Sequence, residues 1–163
     1  MNNNVTFVVL IFVSIIINIL QATVFSPSAG RYFFPNLNLI LIIFISISKD
    51  LRFGIFLVIL NGFLLDVMSG YMLGINTFSR LSLYIILKRS SSHFDYESYT
   101  PVFLSLLLGT IYVWLFIWVI LALKSVSDLK IIKNVIIYQA IINSLAGIVF
   151  FHIRNRVYAT VQK

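Results

Sequence analysis

Two ionisable side chains stand in otherwise apolar sequence and are the residues best placed to do chemistry. They are Asp66, in Gly62-Phe63-Leu64-Leu65-Asp66-Val67-Met68, and Arg80, in Phe78-Ser79-Arg80-Leu81. An ionisable group at the middle of a membrane span costs about 2.5–3.5 kcal/mol on insertion scales, so each needs compensation. At ~1.5 Å per helical residue, Asp66 lies roughly 6 Å from a turn at Gly70, and Arg80 roughly 15 Å from it on the next helix. Helices joined by so short a turn run antiparallel, so an arginine extended toward the turn can meet the carboxylate. One reading is a polar site inside a helix bundle, for a ligand or for a partner helix. The other is a structural ion pair, or an aspartate that simply reaches interfacial water. Asn76, Arg80 and Tyr84 recur every four residues and so share one helix face. A polar stripe on a membrane helix faces protein or water, not lipid. That fits a bundle interior and a partner contact equally well.

Glycines and tryptophans supply the remaining candidates. Gly70 and Gly74 form a G-x-x-x-G in Gly70-Tyr71-Met72-Leu73-Gly74. At mid-span this would mark a helix-packing face. Here it straddles a turn, so turn chemistry at Gly70 and close helix approach at Gly74 are expected. Gly54 and Gly62 lie on one broad face of the preceding helix and should allow close packing. Trp114 and Trp118 share a face of a later helix, either as lipid-facing anchors near an interface or as a groove for a partner helix. The chain has no cysteine and two histidines, His93 and His152. A single imidazole beside Asp95 and Glu97 is a poor metal site, and His152 reads as an interface residue. No H-E-x-x-H, G-x-S-x-G, Walker A sequence or pair of intramembrane aspartates occurs. A lone Asp66 and a lone Arg80 cannot supply both acid–base work and a nucleophile. The expectation is no catalytic residue, no metal and no cofactor.

The elements that hold these residues follow from composition. Of 163 residues, 60% are hydrophobic and 10% charged, and the mean hydropathy is +1.02. A soluble domain carries about 25% charged residues, so too few polar side chains remain here to cover a water-facing surface. The length excludes a second sizeable domain, and residues 1–163 are read as a single transmembrane domain. A spanning helix takes about 20 apolar residues, with a range of roughly 17–25. Six runs qualify or come close: 5–25, 35–48, 53–68, 71–87, 102–123 and 135–153. Val5–Phe25 reads as a span and not as a signal peptide, because no basic residue precedes it and it is too long for an h-region. Pro35 is expected to open the second helix, and Pro101 to close the polar connection before the fifth. The runs are continuous, whereas a membrane barrel alternates over roughly 10-residue segments. The fold class expected is an all-α integral membrane protein, a six-transmembrane-helix bundle.

The net charge of +7 is read as orientation and lipid contact, not nucleic-acid binding. With six spans, both termini share a side. That side collects Lys49, Arg52, Lys88, Arg89, Arg154, Arg156 and Lys163, and the other only Arg31, Lys124, Lys130 and Lys133. The positive-inside rule then places both termini in the cytoplasm.

Pro35-Asn36-Leu37, the pattern G-x-x-x-D-x-x-S-G-x-x-L-G from Gly62 to Gly74, and the basic end Lys88-Arg89 together resemble the bacterial rod shape-determining family MreD. Asp66, Gly70 and Gly74 match that pattern; Arg80 has no counterpart in it. The resemblance implies a multi-pass inner-membrane protein of the cell-wall elongation machinery, non-enzymatic and binding the single-span protein MreC. It further implies work alongside the glycosyltransferase RodA, a class B penicillin-binding protein and the actin-like MreB. The family is also similar to the six-helix S components of energy-coupling-factor vitamin transporters, which gives an alternative function: a vitamin-binding component with Ser26–Phe34 as a lid. S components carry A-x-x-x-A motifs on the first span, while Val5–Phe25 has only Ala22. A scaffold is therefore the favoured expectation.

Overall fold

Apolar runs rich in Ile, Leu and Phe satisfy their backbone groups within each segment as helix, and each run named above does so. In the computed structural model, residues 3–23, 34–48, 53–69, 72–91, 96, 98–123 and 129–161 are described. They form six helices: α1 (Asn3–Thr23), α2 (Leu37–Ile47), α3 (Gly54–Ser69), α4 (Ile75–Ser90), α5 (Tyr99–Leu123) and α6 (Leu129–Val161). No strand occurs among the described residues. Two stretches, Tyr99–Leu123 and Ile136–Arg156, are long and apolar enough to cross a membrane.

Several boundaries differ from expectation, each for a physical reason. Pro35 does not open α2. Asn36 is its N-cap, accepting from the Leu39 N–H at 3.0 Å, and Leu37 is the first helical residue. The α4 helix starts at Ile75 instead of residue 71, because Gly74 adopts a left-handed conformation with φ 96° that no helix can include. It then continues through Lys88 and Arg89 to Ser90. Pro101 sits inside the first turn of α5, where its missing N–H costs nothing. At 33 residues, α6 is roughly 50 Å long, against a hydrocarbon core of about 30 Å. Lys130, Lys133, Arg154 and Arg156 therefore belong to α6 itself and not to loops. Gly70, His93 and nearly all of Ser26–Phe34 lie outside the described residues.

The α3–α4 and α5–α6 pairs pack as hairpins, and α2 lies between them in contact with all five other helices. Eight of its eleven residues are buried. One side places Leu39, Ile40, Ile43 and Ile47 against Leu83, Leu87, Leu106 and Phe151. The other places Ile42 and Ile45 against Leu57, Val58 and Tyr84. Polarity runs opposite to that of a water-soluble fold. Phe12, Phe63, Phe78, Leu108 and Leu145 are exposed, while Ser14, Asn18, Asn38, Asn61, Asp66, Arg80, Thr110 and Asn143 are buried. Lipid as solvent accounts for this arrangement, and water does not.

Candidate functional site

The last turn of α3 carries Asp66 to the first turn of α4. A helix begins with N–H groups that have no partner within it, and the N-cap of α4 is Gly74, which has no side chain to offer them. Asp66 serves instead. Its Oδ2 accepts from the Gly74 N–H at 3.0 Å, the Thr77 N–H at 3.0 Å and the Thr77 hydroxyl at 2.6 Å. Its Oδ1 accepts from the Asn76 N–H at 2.9 Å. The carboxylate also faces the positive end of the α4 dipole. The Ser69 hydroxyl donates to the Asp66 carbonyl at 3.2 Å and braces the end of α3. Thus Asp66 of the D-x-x-S-G-x-x-L-G pattern caps the start of α4, where Gly74 acts through its backbone conformation and not through close helix approach.

Arg80 does not extend to Asp66. Its Nη1 donates to the Asn76 Oδ1 at 2.7 Å, with a longer 3.5 Å contact to the Asn76 carbonyl. Asn76 therefore stands between the two charges, its N–H on the carboxylate and its side-chain oxygen on the guanidinium. Tyr84 is buried farther along α4, where a methyl group at Gly54 would stand 2.7 Å from its hydroxyl. A methyl group at Gly62 would stand 2.6 Å from the Thr77 Cα. The α3–α4 hairpin thus closes with backbone almost on backbone, next to the Asp66 cap. Asp66, Asn76 and Arg80 form one linked group; Tyr84 is a packing neighbour of α3 and stands apart from it.

A second polar centre involves residues that the sequence did not single out. Asn18, Asn38 and Asn61 converge from α1, α2 and α3. The Asn38 Nδ2 donates to the Asn18 Oδ1 at 2.7 Å and to the Asn61 Oδ1 at 3.3 Å. The Asn18 Nδ2 donates to the Asn61 Oδ1 at 3.0 Å and to the Ser14 carbonyl at 2.8 Å. The Asn61 Nδ2 donates to the Ser14 hydroxyl at 2.9 Å and the Leu57 carbonyl at 2.7 Å. The signal was present in the sequence: three asparagines, each within an apolar run. A third set ties α5 and α6 to the start of α2. The Asn143 Nδ2 donates to the Thr110 hydroxyl at 3.1 Å, and its Oδ1 accepts from the Asn36 N–H at 2.7 Å.

Trp114 turns toward α6, its Nε1 donating to the Gln139 Oε1 at 3.1 Å. Trp118 is half-buried, and its Nε1 has no partner among the described residues. His152 is exposed near the end of α6 and shares a hydrogen bond of 3.0 Å with the Tyr99 hydroxyl. No group of three or more potential metal ligands occurs among the described residues. These polar centres connect helices to one another.

No curated protein matches the chain, and no solved structure does. A family model, rod shape-determining protein MreD, matches residues 1–158. That span covers the capped α3–α4 turn, both other polar centres and all but the last turn of α6, and on it the chain belongs to the MreD family of bacterial membrane proteins that determine rod shape.

Proposed function

We propose that this protein is a non-catalytic scaffold of the cell-wall elongation complex, crossing the cytoplasmic membrane six times with both termini inside. In this reading it binds the transmembrane helix of an MreC-like partner and sets where that partner's extracytoplasmic part stands. RodA, a class B penicillin-binding protein and MreB are the further partners of the same assembly. Family membership over residues 1–158 carries the reading. The inverted polarity supports it, because the polar residues of α1–α6 are spent on holding the helices together and the outer faces are left apolar. At 11 residues, α2 is about 16 Å long, the shortest of the six crossings in this reading. Its first N–H groups are met by Asn36, Gln21 and Asn143.

Between helices in lipid there is no hydrophobic drive, so a partner helix is held by close packing and interhelical hydrogen bonds. The test is affinity capture of the tagged chain from native membranes in mild detergent, with partners identified by mass spectrometry. Recovery of a single-span MreC-like protein is expected. Its absence from captures that retain intact, folded chain overturns the scaffold reading.

A further inference from the structure

A guanidinium buried in a bilayer needs more than one neutral amide, and Arg80 is short of partners among the described residues. Its side chain is 1% exposed. Both of its hydrogen bonds leave from Nη1 and end on Asn76, while Nε is buried with none. Nε and Nη2 lie along one edge of the planar group and present two parallel N–H donors. That edge matches two oxygens of an oxyanion. The chain's five carboxylates are Asp50, Asp66, Asp95, Glu97 and Asp128, and only Asp66 falls within the six described helices. Both Asp66 oxygens are already taken by donors of Gly74, Asn76 and Thr77. The start of α4 thus occupies both oxygens of that carboxylate, and the Nε–Nη2 edge of the arginine has no hydrogen-bonded anion among the described residues.

We propose that the Nε–Nη2 edge of Arg80 is a binding site for a phosphate oxyanion, with Asn76 holding the guanidinium from its other side. The inference does not depend on the scaffold reading. Arg80 is five residues into α4 from Ile75, or roughly 7.5 Å along its axis. The anion therefore enters from the end where α4 begins, opposite the end that carries Lys88 and Arg89. Phosphate at a membrane has two sources, a free anion and a lipid headgroup. Either one supplies the second and third acceptors that a buried guanidinium with five N–H donors requires.

The test uses the purified full chain in a neutral maltoside detergent and reads the thermal unfolding midpoint. One arm titrates inorganic phosphate against sodium chloride at matched ionic strength. The other titrates dioctanoyl phosphatidylglycerol against dioctanoylglycerol, which lacks the phosphate. The expected result is a saturable rise of the midpoint in at least one arm. A rise with inorganic phosphate identifies a free anion; a rise with the phospholipid alone identifies a headgroup. Arg80→Met removes the rise. Arg80→Lys keeps the charge but loses the paired edge, and shifts saturation to about tenfold higher concentration, the scale of one charge-assisted hydrogen bond. Arg156→Gln, at the opposite end, titrates as the unsubstituted chain does. A midpoint unmoved in both arms overturns the proposal, as does saturation of either Arg80 variant at the unsubstituted concentration. Should Arg80→Met fail to fold, the comparison of Arg80→Lys with the unsubstituted chain decides.

Discussion

Removing the Asp66 carboxylate is the most direct perturbation of the contact between α3 and the start of α4. Asp66→Ala leaves the N–H groups of Gly74, Asn76 and Thr77 and the Thr77 hydroxyl without their acceptor. A donor orphaned in a dry site costs about 1–3 kcal/mol. At a helix start, where water recovers part of that, measured cap losses are about 0.5–2 kcal/mol. Loss of the charge at the dipole adds up to about 2 kcal/mol in a partly buried setting. Together these place Asp66→Ala at about 1–4 kcal/mol of lost stability. Asp66→Asn keeps one carbonyl oxygen but turns an NH2 toward at least one backbone N–H, and should lose about 1–3 kcal/mol. Thr77→Val removes only the 2.6 Å hydroxyl bond, worth about 1 kcal/mol. Reversible unfolding in mixed micelles measures the series, and hydrogen exchange at the Gly74, Asn76 and Thr77 amides locates it. The ordering Ala, then Asn, then Val at Thr77 is expected, with exchange accelerated at those three amides first. An Asp66→Ala chain within about 0.5 kcal/mol of the unsubstituted one, the usual range of surface substitutions, refutes the capping argument.

Three further outcomes are expected. Gly62→Ala forces its methyl group onto the Thr77 backbone and should cost about 1–3 kcal/mol as an overpacked contact; full stability in the same unfolding assay would mean that α3 and α4 are farther apart. Asn61→Leu removes the acceptor shared by Asn18 and Asn38 and should cost about 0.6–1.7 kcal/mol, the range measured for polar contacts between membrane helices. Since the chain has no cysteine, single substitutions report topology cleanly: Asn2→Cys and Lys163→Cys should resist a membrane-impermeant maleimide in intact cells, whereas Ser125→Cys should react. Labelling of either terminus from outside would reverse the orientation.

How far the sequence could be read depended on which physical signal each feature leaves. Helix number and order follow from uninterrupted apolar runs, which is why α1, α3 and α5 lie within a few residues of expectation. Capping leaves a fainter trace. Nothing local says that α4 waits for Ile75, because its cap is supplied by Asp66, one helix earlier, and by the positive φ of Gly74. Hydropathy also stops at the first charged residue, so it truncated α6 at both ends, although Lys and Arg are sound helix formers where a helix projects beyond the hydrocarbon. Arg80 and Asp66 were legible as an anomaly, but the direct ion pair weighed for them is not what forms, since a fourteen-residue separation says nothing of the asparagine that stands between them. The amide centre was missed for a related reason: a neutral asparagine barely lowers the hydropathy of a twenty-residue run, yet it cannot be left unpaired in lipid.

These polar centres bear on how such a bundle holds a partner. Burying leucine against leucine gains little when the competing surface is a lipid tail, so what orders α1, α2 and α3 relative to one another is hydrogen bonding and shape. The asparagine centre joins those three helices, the Thr110–Asn143–Asn36 set joins α5 and α6 to α2, and the Asp66 cap joins α3 to α4. Each helix is thereby fixed by at least one directional contact. Among the described residues the outer faces are mostly apolar, with Phe12, Phe63, Phe78 and Leu108 turned outward. A partner helix that docks there has mainly shape to recognise, unless it supplies polar groups of its own. Specific association then requires a rigid outer surface, and the directional contacts inside the bundle are what keep it rigid. On this argument, substitutions at Asn61 or Asp66 weaken partner binding without touching the partner, and they do so in proportion to the stability they remove.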